Sequence, residues 1–163
     1  MASVMNERDV GRMRKVLLEL LDRAEADGCV VCDSGGYVLA QEGRGTTDPL
    51  LLSALGAGVF AASRELARIL GEDEFSAVFH QGERKSIFLR AVTSEVLLVI
   101  IFSNTANVGL VRLYASPAAM ALRAVVEEIA AAPEHVDDPE RVFVLTQGGD
   151  LFGAASAEGS GSS

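Results

Sequence analysis

The segment from Asp48 to Gly71 constrains the fold more than any other part of the chain. Asp48 can supply a capping oxygen and Pro49 fixes φ at the first helical position, so a helix is predicted over residues 48–70, ended by Gly71. The larger apolar side chains fall on one face, which we expect to cover a sheet: Leu52, Leu55, Val59, Leu66 and Ile69. The adjoining face is made of small residues: Ala54, Ala57, Gly58, Ala61 and Ala62.

This helix is apolar over too much of its circumference for the surface of a monomer. Gly56 and Gly58 each destabilise a helix interior by about 1 kcal/mol relative to Ala. Close packing against another helix would compensate for that loss. The segment therefore predicts a homodimer seam and a docking surface for another protein, continuing into the charged strand end His80-Gln81-Gly82-Glu83-Arg84.

The remaining periodicities predict an α+β fold in the order α-β-β-α-β-β-β-α, with covering helices on a five-stranded antiparallel sheet. The first helix is expected over residues 9–26. Ser34-Gly35-Gly36 predicts a hairpin turn between strands 29–33 and 37–41. Three further strands form a meander: 75–81, 86–92 and 95–102. A last helix is expected over about 105–132, kinked or restarted at Ser116-Pro117 with Ser116 as its cap.

The C-terminal part differs in character from the rest of the chain. Residues 1–132 are predicted to form one domain, and residues 133–163 an acidic, partly disordered tail that ends in Gly, Ala and Ser. Within this tail, Val142-Phe143-Val144-Leu145 forms a short apolar strip. The strip is interpreted either as a strand or clasp packed on its own domain or as a segment that docks a partner.

The charge balance narrows the classes of partner. A net charge of −9 repels phosphate backbones and anionic lipid surfaces, so neither nucleic acid nor a membrane is an expected partner. The apolar run over residues 96–102 is too short to span a bilayer. The first ten residues carry charges and lack the apolar core of a signal peptide. These features predict a cytoplasmic protein.

Sites for chemistry are not evident in the sequence. Cys29 and Cys32 are three apart within a strand and so point to opposite faces, which favours buried structural thiols over a disulfide or a metal site. His80 and His135 are badly spaced as additional zinc ligands. His80 near Glu83 could act as a base, but no nucleophile accompanies it. No P-loop, GxSxG, HExxH or EF-hand motif occurs, so we expect no cofactor and no catalytic residues.

The chain resembles the Roadblock / dynein light chain family. The resemblance rests on the element order, the small-residue second helix and the hairpin Cys29-Val30-Val31-Cys32-Asp33-Ser34-Gly35-Gly36-Tyr37-Val38-Leu39-Ala40. Gly71-Glu72, Phe75 and His80-Gln81-Gly82-Glu83-Arg84 are similar more narrowly to the MglB group of that family. The resemblance covers roughly residues 10–132.

The resemblance implies a Roadblock-type sandwich that forms a homodimer, with the third strands paired into one continuous sheet and the second helices side by side. It also implies a GTPase-activating regulator of an MglA-like small Ras-like GTPase in bacterial cell polarity or motility, with two regulator chains to one GTPase. Such a regulator supplies no arginine finger. It brings the GTPase's own arginine and glutamine to the γ-phosphate, and it needs no cofactor or metal.

Carried onto this chain, the resemblance implies two sets of residues. The GTPase-binding set is Gly58, Ala61, Ala62, Glu65, Arg68, His80, Gln81, Glu83 and Arg84. The dimer-interface set is Ala54, Ala57, Phe75, Ala77 and Phe79. The chain departs from the family in the bulky pair Val59-Phe60 and in its acidic tail, since some members end in a basic helix.

Two other functions are compatible with the same sequence. A Roadblock scaffold would bind a GTPase or signalling complex without changing its turnover. A small redox or ligand-sensing domain would use Cys29 and Cys32. Measured GTP turnover separates the regulator from the scaffold, and a thiol that reacts in the folded state would indicate the sensor.

Overall fold

The structure, a computed structural model, describes residues 2–45, 48–132 and 141–146. Seven strands and three helices follow one another in these residues: β1 (Ala2–Asn6), α1 (Glu7–Ala24), β2 (Gly28–Asp33), β3 (Val38–Gly43), α2 (Pro49–Ile69), β4 (Ala77–Gln81), β5 (Lys85–Ala91), β6 (Val96–Ser103), α3 (Val108–Ala131) and β7 (Arg141–Thr146). The predicted α+β fold is therefore confirmed, with β1 and β7 added at its two ends.

The main sheet has five antiparallel strands in the order β3-β2-β6-β5-β4. β6 lies at the centre and is buried along nearly its whole length, which accounts for its unbroken apolar sequence. The hairpin between β2 and β3 forms as predicted, and Gly36 adopts the positive φ of 86° that its turn requires. β4 is at one edge of the sheet.

The two faces of the sheet carry separate cores. On one face, α1 and α3 pack against Cys29, Val31 and Leu98. On the other face, α2 packs through Phe60 against Val30, Cys32 and neighbouring residues of β5 and β6. The alternation of side chains along β2 and β6 thus divides the described residues into three layers, with α2 as their only helix on its side of the sheet.

The predicted helix ends need three corrections. α1 begins at Glu7 because Asn6 caps it, accepting from the backbone N–H of Asp9 while the Asp9 carboxylate accepts from that of Asn6. α3 begins at Val108 with Asn107 as its cap, so Ser116 is not a cap. α3 does not restart at Pro117; it continues as one helix to Ala131.

The apolar strip of the tail lies within β7, which pairs antiparallel with β1. The strip therefore belongs to a strand on its own domain, as one of the two interpretations predicted. This pairing joins the two ends of the described chain across the boundary predicted at residue 132. The rest of the tail, residues 133–140 and 147–163, lies outside the described residues, so its predicted disorder stays a prediction.

The predicted orientation of α2 is wrong. The residues that face the sheet are mostly small: Ser53, Gly56, Ala57, Phe60, Ser63 and Ala67. Leu55, Leu66 and Ile69, which were expected to cover the sheet, are exposed. Small residues let the helix axis approach the strands closely, and a Cβ on Gly56 would already touch Leu89 and Val99 at 3.7 Å. Only Leu52 and Val59 of the predicted face are partly buried.

Candidate functional site

The local sequence fixes where α2 begins, and one face of this helix is buried on the sheet. The Oδ1 atom of Asp48 accepts a hydrogen bond of 2.9 Å from the backbone N–H of Leu51, and Pro49 occupies the first turn. Both features confirm the predicted start of this helix. The inward face is sealed, since Ser53 is 0% exposed and Ala57 only 8%. The outward face of α2 is consequently the part available to a partner.

That outward face is strongly apolar. Ile69 is 80% exposed, and five other large side chains of the helix and its C-cap are more than half exposed: Leu50, Leu51, Leu55, Leu66 and Leu70. Leu51, Leu55, Gly58, Ala62 and Ile69 follow spacings of three, four and seven, so they line one side of the helix. Scattered exposed leucines are ordinary, but a continuous stripe of this kind marks an interaction surface.

The helical members of the predicted GTPase-binding set all lie outside the sheet-facing side. Gly58, Ala61, Ala62, Glu65 and Arg68 are exposed. A Cβ built on Gly58 would meet nothing within 4 Å, so this glycine has space above it in the isolated chain. The Arg68 guanidinium lies 3.4 Å from the Glu65 carboxylate, an exposed pair that contributes little stability.

The remaining members of that set lie at the end of β4 and in the turn that follows. His80, Gln81, Glu83 and Arg84 are all exposed. Because side chains alternate along a strand, His80 shares the α2 side of the sheet with Val78, whereas Gln81 points to the side of α1 and α3. The turn itself is anchored: the Asn104 side-chain amide donates to the Gly82 carbonyl, and the Asn104 backbone N–H donates to the Arg84 carbonyl at 2.9 Å.

The predicted dimer-interface residues are placed less favourably for contact with a partner. Ala54 is exposed on α2, but Ala57 faces the sheet of its own chain. Ala77 and Phe79 pack against the core beneath α1 and α3, where the Phe79 ring stacks on Phe102 at 6.0 Å. Phe75 is half-buried just before β4. If β4 forms a seam, its backbone rather than these side chains would make the contact.

Sequence reasoning missed the large exposed residues of α2 as interface candidates. Leu51, Leu55, Leu66 and Ile69 were either not selected or assigned to the sheet, because size was taken as a sign of burial. The number of apolar positions in this segment could have revealed them, because it is larger than one face of a helix can hold. The small face was chosen as the outer one, whereas the structure uses part of it as the inner one.

Cys29 and Cys32 lie in the two separate cores, on opposite faces of β2, as the spacing predicted. Burial raises the pKa of each thiol to about 12. Both thiols are therefore protonated at neutral pH and shielded from reagents, which argues against the sensor hypothesis. Within the described ranges, no cluster of His, Cys, Asp and Glu could hold a metal ion.

Two helices, α2 and α3, are long and apolar enough to cross a membrane by length and composition, and a third of each apolar stretch is buried in the fold. A core helix of a globular protein passes the same test. Both helices here pack on faces of the central sheet.

The Roadblock/LC7 domain family matches residues 13–102, from α1 to β6. The gliding protein MglB of Thermus thermophilus has a solved structure that is 33% identical, with a TM-score of 0.73 over 77% of this chain and 96% of that one. MglB of Myxococcus xanthus is 32% identical, with a TM-score of 0.73 over 80% of this chain and 99% of that one.

A further structure, of MglB in a tetrameric arrangement, is 33% identical and has a TM-score of 0.74, covering 78% of this chain and 96% of that one. The match is thus to nearly the full length of each MglB chain and includes the second helix and the meander that follows. The chain belongs to the Roadblock/LC7 domain family, as an MglB-like member.

Proposed function

We propose that the protein is a homodimeric regulator of an MglA-like small GTPase and accelerates its GTP hydrolysis without catalytic residues of its own. The observation that carries this proposal is the unpartnered apolar surface of α2 on a fold that matches MglB over nearly its whole length. We place the protein in the cytoplasm, where such a GTPase would be met.

The dimer would form at the β4 edge. Within the described residues, β4 has a strand neighbour only on the β5 side, which leaves its outer backbone groups open to pairing. On the α2 face near this edge, Val78 and Ile87 are only partly buried, because α2 lies mainly over β2, β3 and β6. A second copy paired through β4 would extend the sheet and bring its own α2 over this region.

The side of α2 that carries Leu52, Leu55, Val59 and Leu66 supports this arrangement. Leu52 and Val59 pack against the same core as Val78 and Ile87, and Leu55 and Leu66 share their side of the helix. We therefore place these two leucines toward the β4 half of the sheet. Two such helices side by side would bury these leucines against each other. The large residues would then form the self-association seam.

The GTPase would bind on the outermost surface of the two helices. There Gly58, Ala61 and Ala62 present little side-chain volume, so another protein's backbone can approach closely. His80 lies on the same side of the sheet as α2, near the end of β4, by the alternation that also places Val78 there. The Arg68 guanidinium lies beside the Glu65 carboxylate, and the proposal gives it no role as an arginine finger. The surface is suited to reshaping the GTPase so that the GTPase's own groups stabilise the transition state.

GTP turnover by the cognate MglA-like GTPase, with and without this protein, tests the proposal together with the light-scattering mass of the mixture. We expect a large stimulation and a complex of two regulator chains and one GTPase. Stable binding with unchanged turnover would leave a scaffold. No binding would show that the GTPase assignment is wrong.

Ala61→Arg tests the docking face separately. A long charged side chain at this exposed position should abolish GTPase binding and leave the dimer intact, since Ala61 is on the flank away from Leu55 and Leu66. Ala121→Arg, on the exposed side of α3 across the sheet, is the matched control and should bind normally. A complex that survives Ala61→Arg would exclude the α2 surface as the GTPase site.

A further inference from the structure

A cavity of about 200 Å³ lies between the end of β5 and the middle of α3, on the sheet face opposite α2. Its polar lining comes from Arg90, Arg123, Ser76, Ser116 and Glu74, and its apolar lining from residues that include Met120 and Ala119. Two arginines line this cavity in a chain with a net charge of −9. The proposed function uses none of these residues.

Arg90 is the unusual member of this lining. It alternates with Leu89 along β5, shares a face with Phe88 and stands opposite Leu98 of β6, so its side chain is directed to the α3 side of the sheet. Its Nε atom is buried and has no hydrogen-bond partner among the described residues. Native structures rarely leave a buried charged donor unpaired, because desolvation without a replacement acceptor is unfavourable. Arg90 thus places an unpaired donor beside the cavity, in a position shielded from solvent.

Arg123 approaches the cavity from α3. Its Nε donates to the Val92 carbonyl at 2.9 Å, which fixes the plane of the guanidinium. The carboxylate of Glu127 lies 3.9 Å from the same Nε, at the limit of an ion pair. Within the described part of the chain, neither contact uses the Nη groups of Arg123. Glu74 is the acidic group of the lining itself and Glu127 lies outside it, so the lining residues carry two positive charges and one negative charge.

We infer that this cavity binds a small oxyanion, the phosphate or carboxylate group of a small molecule, between Arg90 and Arg123. Planar guanidinium groups match the oxygens of either anion, and the Ser76 and Ser116 hydroxyls can donate further hydrogen bonds. Drug-sized ligands usually occupy about 300–1,000 Å³, so the volume suits a single acidic group with a short body and not a nucleotide. This site is independent of the proposed GTPase surface.

Titration of the full-length ¹⁵N-labelled protein with inorganic phosphate, and separately with acetate, tests the inference. The side-chain Nε–Hε signal of Arg90 is the readout, assigned by its loss in Arg90→Lys. We expect this signal to shift saturably with at least one of the two anions. Arg123→Gln should weaken that binding by about tenfold or more, since hydrogen bonds to charged groups are the strong ones. Arg8→Gln, which removes one exposed charge on α1, should leave it unchanged.

Three results would overturn the inference. The Arg90 signal could stay constant with both anions up to about 50 mM, well above the millimolar range of weak specific binding. Arg8→Gln could weaken binding as much as Arg123→Gln, which would reduce the effect to general electrostatics. Binding could also be absent in the wild type and appear only in a full-length variant with Glu134, Asp137, Asp138 and Glu140 changed to the amides. In that case the oxyanion in the cavity is the chain's own tail and not an external ligand.

Discussion

The Asp33 side chain stabilises the β2–β3 turn, although burial disfavours its charged form. Its Oδ1 accepts from the backbone N–H groups of Gly35 and Tyr37 at 2.9 and 3.0 Å. Burial raises the pKa of this carboxyl above its usual value even though these hydrogen bonds oppose the shift. Because the folded pKa lies above the unfolded one, stability falls as pH rises through the folded pKa. We expect the turn to need the oxygen acceptor but not the charge.

Asp33→Asn should therefore retain the turn and leave the free energy of unfolding at about pH 7 unchanged or higher. Asp33→Ala removes both hydrogen bonds and should lower it by about 1–2 kcal/mol. Urea unfolding of the three proteins measures this difference. Any gain from Asn should vanish on acidification below the Asp33 pKa, where the wild-type carboxyl becomes neutral. An Asn variant as unstable as the Ala variant would mean that the carboxylate charge itself holds the turn.

The buried thiols make stability depend on pH at the alkaline end. The pKa of both Cys29 and Cys32 is raised from 9.0 to about 12 by burial. Between these values the unfolded chain loses the thiol protons and the folded chain keeps them, so stability falls as pH rises. Each thiol contributes a slope of at most about 1.4 kcal/mol per pH unit. We expect the double variant Cys29→Ala/Cys32→Ala to show a shallower decline than wild type in urea unfolding between about pH 9 and pH 11. Equal slopes would show that the thiols are not protected by burial.

At the scale of elements, two glycines differ in the effect expected from replacing them with alanine. Gly58 is inside α2 and has nothing within 4 Å of an added Cβ, so Gly58→Ala should raise the free energy of unfolding by about 0.5–1 kcal/mol. Gly36 has a φ of 86°, and its Cβ would meet the Cα of Ala54 at 2.6 Å, so Gly36→Ala should destabilise the protein. Thermal unfolding of both variants at a fixed protein concentration checks the two signs. A loss of stability in Gly58→Ala would mean that a partner helix already covers this glycine.

Some boundaries of helices and strands could be predicted from the sequence alone. Caps and turn glycines act over a few residues, so the start of α2 at Asp48-Pro49 and the hairpin at Ser34-Gly35-Gly36 were predictable. Pro117 does not make α3 restart, because burial of Ala115, Ala118 and Leu122 on both sides of it outweighs the one hydrogen bond that a proline removes. The pairing of β1 with β7 joins segments at opposite ends of the described chain, which no local pattern can indicate.

The orientation of α2 could not be predicted from the sequence, for a different reason. Periodicity identifies which residues share a face, but it does not state which face turns toward the chain's own sheet. Size favoured Leu55 and Leu66 as the inner residues, whereas close packing on the strands selected Gly56 and Ala57. A protein that buries the large side chains of a helix against a second copy can pack the small side chains of that helix against its own sheet. The excess of apolar residues on α2 was therefore predictable, but the proposed division of its surface between self and partner was not.

At the scale of the whole molecule, a dimer should depend on the leucines of α2. We expect full-length protein to have a light-scattering mass of twice 17.2 kDa and the variant Leu66→Glu a mass of 17.2 kDa. A carboxylate at this exposed position would have to be buried against the partner helix, which is strongly unfavourable. Leu113→Glu, at an equally exposed leucine on α3, is the matched control and should remain dimeric. Dissociation by Leu113→Glu and not by Leu66→Glu would move the seam to the α3 side.

The same variant distinguishes the seam from the docking face. If the GTPase spans two α2 helices, Leu66→Glu should lose both the dimer mass and the stimulation of GTP turnover, whereas Ala61→Arg should lose the stimulation alone. High protein concentration should partly restore stimulation to Leu66→Glu, because mass action favours the dimer, and should not restore it as readily to Ala61→Arg. Full stimulation by a monomeric Leu66→Glu would show that one α2 surface is sufficient. The dimer would then serve some purpose other than GTPase binding.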